Sequence, residues 1–256
     1  MLGTRRQMMA GGGAMAAAGL GGGVAAAETP FALPQPSVPI SGGGRFPVRR
    51  IYCIGRNYAE HAKEMGSDPK TEPPFFFQKP SDAVQPVAAG STGEHAYPPL
   101  TQNYHHELEL VVFLKSGGRD IAAADALEHV YGYAVGLDMT RRDLQQKMKD
   151  GRKPWEIGKS FDHAAPVGPL MPVAAVGHLV KGAIELRVNG AVRQADDLSA
   201  MIWSVPEQIA ELSKGSELKA GDVIFTGTPA GVGPVVRGDV LEGRIAGLPD
   251  LRVKIV

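Results

Sequence analysis

The stretch His105-His106-Glu107-Leu108-Glu109-Leu110-Val111-Val112-Phe113-Leu114 decides the fold. Its apolar second half reads as a buried strand. Alternate strand residues share a face, so Leu108, Leu110, Val112 and Leu114 form one side, and Glu107, Glu109, Val111 and Phe113 the other. The two glutamates then lie about 7 Å apart at Cα, at roughly 3.4 Å per residue. Their face continues into Val111 and Phe113, so it is not a plain solvent face. Two carboxylates directed into a half-apolar cavity repel each other, and each loses hydration. A hard divalent cation offsets both costs. An exposed Glu-x-Glu on a sheet edge is the other reading that these two residues leave open.

Asp138 adds to the pattern. It ends the apolar strand YAVGLD (133–138), just before a helical stretch begins at Thr140. A third carboxylate makes an all-oxygen set, which fits Mg²⁺ better than zinc. His105 shares the glutamate face and is read as a supporting residue rather than a ligand.

Working outward, VRRIYCIG (48–55) is a strand and NYAEHAKEMG (57–66) a helix stopped by Gly66. FFFQKPSDAV (75–84) is a short strand broken at Pro80. IAAADALEHVYG (121–132) has helical spacing. TRRDLQQKMKDG (140–151) is a helix with Thr140 as N-cap and Gly151 as stop. Asn189-Gly190 turns a hairpin, VPEQIAELSKG (205–215) is a helix with proline in its first turn, and the chain closes in strands. Residues 28–45, rich in Pro, Gly and Ser, read as a linker or an edge arm. The domain proper is expected over 46–256. Short strands dominate and helices are few, which predicts a β-rich α+β domain.

Composition narrows the function. Of 256 residues, 27 are Lys or Arg and 27 Asp or Glu, so nothing steers the chain toward nucleic acid. The single cysteine, Cys53, excludes an internal disulfide and a cysteine zinc cage. Residues 1–27 carry Arg5-Arg6, a Gly/Ala/Met-rich middle and Ala25-Ala26-Ala27. This is the layout of a twin-arginine export signal, which predicts a periplasmic enzyme with no membrane anchor after cleavage. An N-terminal extension on a cytoplasmic protein is the alternative.

Two further groups carry chemistry. His61 and Glu64 sit three apart on the expected helix and share a face. A carboxylate that orients an imidazole makes a general base for water. The alternative is a charged surface helix, since Glu60 and Lys63 are neighbours. Lys159, in WEIGKSFDH, either stabilises an oxyanion or is simply solvated. The loop GTPAGVG (227–233) lacks a Gly-Lys-Ser/Thr ending, so it reads as the rim of a small-molecule site rather than a phosphate loop.

GRNYAEHAKEMG, FFFQKPSDAV, HHELELVV, GYAVGLDMTRRDLQ, PWEIGKSFD, MIWSVPEQIAELS and GDVIFTGTPAGVGPV occur in this order. As a set they resemble the fumarylacetoacetate hydrolase superfamily over residues 46–256, and within it the acylpyruvate and fumarylpyruvate hydrolases. The resemblance implies a mixed β-roll, a homodimer and one Mg²⁺ or Mn²⁺ per subunit. It implies Glu107, Glu109 and Asp138 as metal ligands, and His61 with Glu64 as a water-activating dyad on a segment that orders as a lid. It implies Lys159 as the stabiliser of developing negative charge, and Arg56, Lys79, Arg142 and Thr228 as lining for the substrate, a 2,4-dioxo acid. For the far carboxylate of a fumaryl group, Arg56, Lys79, Arg141 and Arg142 are all candidates. An oxaloacetate decarboxylase, a muconate-type isomerase or hydratase, and an exported dicarboxylate-binding protein are the other readings. The intact His61–Glu64 pair favours hydrolysis among them.

Overall fold

A computed structural model of the chain describes residue 3 and residues 30–64 and 73–256. The chain divides into Met1–Pro34 and Gln35–Val256, and the second unit holds every element below. Apart from Gly3, the expected export signal lies outside the described residues, as does the expected helix stop at Gly66.

Leu108–Leu114 is a fully buried strand in the middle of the largest sheet. In order, that sheet runs Phe76–Lys79, Arg50–Ile54, Asp222–Phe225, Leu108–Leu114, Val130–Leu137, Ala165–Val167 and Val84–Pro86, with Met171–Pro172 also on Val130–Leu137. Asp222–Phe225 runs parallel to Arg50–Ile54 and antiparallel to Leu108–Leu114, so the sheet is mixed. A five-stranded sheet (Ala191–Asp197, Ala183–Val188, Val240–Ile245, Leu251–Ile255, Thr92–His95) faces it, and a small third sheet joins Thr140–Arg141, Tyr104–His106 and Gly233–Val235. The strand-rich, few-helix architecture is the mixed β-roll expected.

The two faces of Leu108–Leu114 enter different cores. Leu108, Leu110, Val112 and Leu114 pack with Leu186, Leu241 and Leu251 of the five-stranded sheet. Val111 and Phe113 pack with Cys53, Val223, Phe225 and, from the N-terminal side, Val38 and Phe46. Each such side chain contributes about 1.5–3 kcal/mol by leaving water. The strand is therefore pinned on both sides, and the glutamates at its start are held where the second core opens. Cys53 is a buried member of that core.

Three expectations change. Ser37–Pro39 pairs with Arg45–Pro47, and Val38 is completely buried, so the folded part begins earlier than residue 46 and this stretch is an arm rather than a linker. Residues 121–132 hold only a 3-10 turn at Ala126–His129 before the next strand begins at Val130. Ala122, Ala123 and Ala124 are exposed, and alanines bury too little to hold a helix on the core. Thr140 is not a helix cap. It lies in a strand, and its hydroxyl donates to the Asp138 carbonyl at 3.1 Å. Three helices matter for the site: α1 (Ala59–Glu64), α2 (Arg142–Asp150) and α3 (Glu156–Lys159).

Candidate metal centre and active site

The Glu face of the central strand ends in a cleft. Glu107 and Glu109 line it. Asp138 follows the neighbouring strand Val130–Leu137, and its N–H donates to the Glu107 carbonyl at 2.8 Å. That pairing brings the third carboxylate to the first two. One oxygen from each of Glu107, Glu109 and Asp138 lies within 4.8 Å of the others, and all three residues are buried.

Cations surround this cluster. Lys159 Nζ donates to Glu107 Oε2 at 2.8 Å and to Asp138 Oδ2 at 2.7 Å. Lys79 Nζ faces Asp138 Oδ1 at 2.8 Å and donates to the carbonyls of Lys159 (2.5 Å) and Met139 (3.2 Å). The Arg142 guanidinium pairs with Glu107 and donates to Gln145 Oε1 at 2.6 Å. Burial alone would push the Glu107 carboxyl up, but Lys159, Arg142 and His61 outweigh it and hold it well below the usual carboxylate range. Lys159 loses hydration too, but Asp138 and Glu107 keep it above the usual lysine value, so it stays an ammonium.

Glu109 is the exception. Burial pushes it well up, and the Asp138 and Glu107 charges add to the push. Its stabilising contacts include a hydrogen bond from the Gly227 N–H at 2.7 Å. Asp138 Oδ1 has the Lys79 ammonium beside it at 2.8 Å, and Asp138 Oδ2 has Lys159. A buried set of three carboxylates with one member short of counter-charge fits a hard divalent cation.

His61 lines the same cleft, with its Nδ1 3.3 Å from Glu64 Oε2. Burial holds the imidazole below its ordinary pKa, against the opposing pull of Glu107 and Glu64. Neutral His61 therefore donates from Nδ1 to Glu64 and keeps Nε2 as an acceptor. The Glu64 carboxylate also accepts from the Gly231 N–H, at 3.2 and 3.4 Å. That tie joins α1 to the glycine-rich loop. Gly231 has φ +93°, and a Cβ there would sit 2.0 Å from the Arg193 carbonyl oxygen.

The remaining expectations divide. Arg56, Arg142 and Thr228 line the cleft. Lys79 does not. Its side chain is wholly buried behind Asp138, braced against the Lys159 carbonyl, so it supports the triad instead of touching substrate. Arg141 turns away as well, with its guanidinium 4.2 Å from the Phe161 ring centre. His105 accepts from Arg142 Nε at its Nδ1 (3.3 Å) and holds Asn103 Oδ1 through Nε2 (2.7 Å), which orients Arg142.

Several residues at the cleft carry no sequence signal of their own. Gln145 lines it and is legible only as the i+3 neighbour of Arg142. Phe77 and Trp155 form its apolar wall. Gln194, on a strand of the second sheet, accepts from the Leu108 N–H at 3.0 Å and donates to Thr228 Oγ1 and the Pro229 carbonyl, each at 2.8 Å. It thereby clamps the Thr228 loop to the glutamate strand. α3 crosses α2 so closely that a Cβ on Gly158 would meet Gln145 at 2.8 Å, and this approach delivers Lys159 to the triad.

Comparison with known proteins identifies the family. The fumarylacetoacetate hydrolase C-terminal family matches residues 50–256. A fumarylpyruvate hydrolase from a Ralstonia species is 42% identical over 188 residues, 73% of this chain and 95% of its own. The mitochondrial oxaloacetate tautomerase FAHD1 of Homo sapiens is 42% identical over 207 residues, 81% of this chain and 91% of its own. The crystal structure of fumarylpyruvate hydrolase from Pseudomonas aeruginosa, in complex with Mn²⁺ and pyruvate, superposes with a TM-score of 0.88 at 57% identity, over 90% of this chain and 99% of that one. With four-fifths of its length matched and the acidic triad in place, the chain belongs to the fumarylacetoacetate hydrolase family.

Proposed function

We propose that this protein is a divalent-metal-dependent hydrolase that cleaves the carbon–carbon bond of a 2,4-dioxo acid, with fumarylpyruvate as substrate and fumarate and pyruvate as products. The observation that carries the reading is the His61–Glu64 pair on the same cleft as the carboxylate triad. Hydrolysis needs an activated water. Decarboxylation of oxaloacetate does not.

Glu107, Glu109 and Asp138 would hold the ion. A bound Mg²⁺ or Mn²⁺ supplies Lewis acidity to the 2-oxo acid end of the substrate. His61 Nε2 takes a proton from water, while Glu64 stabilises the imidazolium through Nδ1. The hydroxide adds to the C4 carbonyl. Lys159 spends two N–H groups on Glu107 and Asp138, and its third is left for the C4 oxyanion. The C3–C4 bond then breaks, its electron pair leaves with C3 as an enolate, and a proton returns to C3. The acyl half departs as the carboxylate.

The family resemblance also implies a homodimer, to be read as a particle of twice the mature subunit's mass in sedimentation velocity. Export through a twin-arginine route belongs to the same proposal. Arg5-Arg6→Lys-Lys is expected to trap precursor in the cell, and unchanged location removes it.

The deciding experiment follows the diketo-acid absorbance of fumarylpyruvate on chelator-stripped protein, with and without Mg²⁺ or Mn²⁺. Metal-dependent decay to fumarate and pyruvate, lost in Glu107→Gln, is expected. No decay, with oxaloacetate consumed instead, transfers the assignment to the oxaloacetate chemistry of the FAHD1-type relatives.

A further inference from the structure

The Gly227 N–H that donates to Glu109 Oε2 at 2.7 Å belongs to the same peptide group as the Thr226 carbonyl. In a trans peptide the N–H and the C=O point in opposite directions. One side of this group meets Glu109. The other meets Asn57, whose Nδ2 donates to the Thr226 carbonyl oxygen at 2.8 Å. Asn57, the Thr226–Gly227 peptide and Glu109 thus form one chain of hydrogen bonds that runs from donor to acceptor in a single direction. A donor on the carbonyl polarises the peptide and makes its N–H a stronger donor in turn. Asn57, Thr226 and Glu109 are all buried, so water does not compete for these bonds.

The fold leaves this chain little freedom. Arg50–Ile54 and Asp222–Phe225 are parallel neighbours, with Phe225 beside Cys53, so the segments that follow them leave the sheet side by side. Gly227 passes so close to Asn57 that a Cβ on it would lie 2.5 Å from the Asn57 Cβ, and its φ of +91° suits glycine. Thr226 is held to the glutamate strand: its N–H and its hydroxyl both donate to the Leu110 carbonyl, at 3.1 and 2.9 Å. Asn57 is fixed in turn by the loop before the helix Val205–Gly215. Its Nδ2 also donates to the Trp203 carbonyl at 2.9 Å, and its Oδ1 accepts from the Trp203 N–H at 2.8 Å. Its own carbonyl accepts from the Ile202 N–H at 2.8 Å. Both N–H groups of the carboxamide are committed, one to each segment.

We propose that Asn57 is a positioning residue for the metal centre. Through the Thr226–Gly227 peptide it aims the N–H that fixes the Glu109 carboxylate, and so sets how tightly the triad takes a divalent cation. A ligand carboxylate already oriented by an outer hydrogen bond has less to rearrange when the ion arrives. Asn57 stands two residues before α1, so the same side chain ties the start of the His61–Glu64 helix to the glutamate strand. This inference rests on the reading of Glu109 as a metal ligand.

The test is calorimetric titration of Mn²⁺ into chelator-stripped protein. Asn57→Leu keeps the branched shape and removes the donors, and is expected to weaken Mn²⁺ binding about tenfold. Gln208→Met is the control. Gln208 is equally buried, and its Nε2 donates to the same Trp203 carbonyl at 2.8 Å, so its loss loosens the Trp203 loop without touching the Thr226–Gly227 peptide. Gln208→Met is expected to leave Mn²⁺ affinity within about twofold of wild type. Equal losses in the two variants, or an affinity within about twofold of wild type in Asn57→Leu, overturn the positioning role. A second measurement needs no substitution. When Mg²⁺ is titrated into ¹⁵N-labelled wild-type protein, the side-chain amide signals of Asn57 are expected to shift more than those of Gln208. Asn57 signals that stay in place at saturating Mg²⁺ overturn the role even if Asn57→Leu does not fold. Wild-type protein that takes up no Mn²⁺ removes the metal centre itself; wild-type binding that Asn57→Leu leaves unaltered removes only the role of Asn57.

Discussion

Removing Lys79 tests how the triad is held. Its ammonium and Asp138 Oδ1 are 2.8 Å apart, with side-chain exposures of 0% and 1%, and the same ammonium binds the carbonyls of Met139 and Lys159. Lys79→Met keeps the side-chain length but leaves Asp138 with less counter-charge in a dry site. Breaking a buried pair by deleting one partner costs about 3–5 kcal/mol. For a domain of this size that lowers the melting temperature by roughly 6–20 °C. The assay is thermal unfolding of chelator-stripped protein, followed by circular dichroism. In an Asp138→Asn background there is less charge to strand, so the penalty of Lys79→Met is expected to shrink by at least about 1 kcal/mol. Adding Mg²⁺ is expected to raise the melting temperature of Lys79→Met more than that of the wild type, since a dication replaces the missing charge. A melting temperature within about 2 °C of wild type, or the same penalty in both backgrounds, refutes the account.

Three other perturbations probe the rest of the site and fold. Because burial holds His61 below 6.5, the acid limb of kcat/KM is expected below pH 6.5, with loss of rate as the imidazole gains its proton. Glu64 raises that pKa, so Glu64→Gln is expected to move the limb to lower pH while reducing kcat; a limb above pH 6.5 in the wild type contradicts the neutral-histidine mechanism. Gly231→Ala places a Cβ against the Arg193 carbonyl at φ +93°, at a cost on the order of 2 kcal/mol, and is expected to lower kcat by loosening Glu64; unaltered kinetics would dissociate that loop from the dyad. His95, 1% exposed, lies between Gln85 and Tyr104, and burial lowers its pKa to about 4. The unfolded chain takes up that proton near pH 6.5 and the folded chain does not until about pH 4, so stability is lost as pH falls through this window. Between pH 7 and pH 5 the loss is about 2 kcal/mol, read as a lower urea midpoint that His95→Gln makes less pH-dependent.

What the sequence determined by itself is local. Glu107 and Glu109 share a face because a strand alternates, and His61 and Glu64 share one because a helix repeats near every fourth residue. Both pairs were legible as residues sharing a face, and the resemblance of the motifs in order, not either pair alone, pointed to their chemistry. The strand-rich fold followed from short apolar runs divided by glycine and proline. Contacts between distant segments were decided only by the tertiary structure. Pairing of Val130–Leu137 with Leu108–Leu114 carries Asp138 to the glutamates, and the close crossing at Gly158 carries Lys159 there. Lys79 and Arg141 look alike in sequence as cations for an anionic substrate. Packing buries one behind Asp138 and turns the other onto Phe161, because a charge in a dry interior goes to the nearest partner that offsets its lost hydration. Gln194 is one polar residue in an alternating strand, and its clamp on Leu108, Thr228 and Pro229 exists only where two sheets meet the Thr228 loop. Periodicity along the chain sets which side chains share a face; the packing of one sheet on another sets what that face meets.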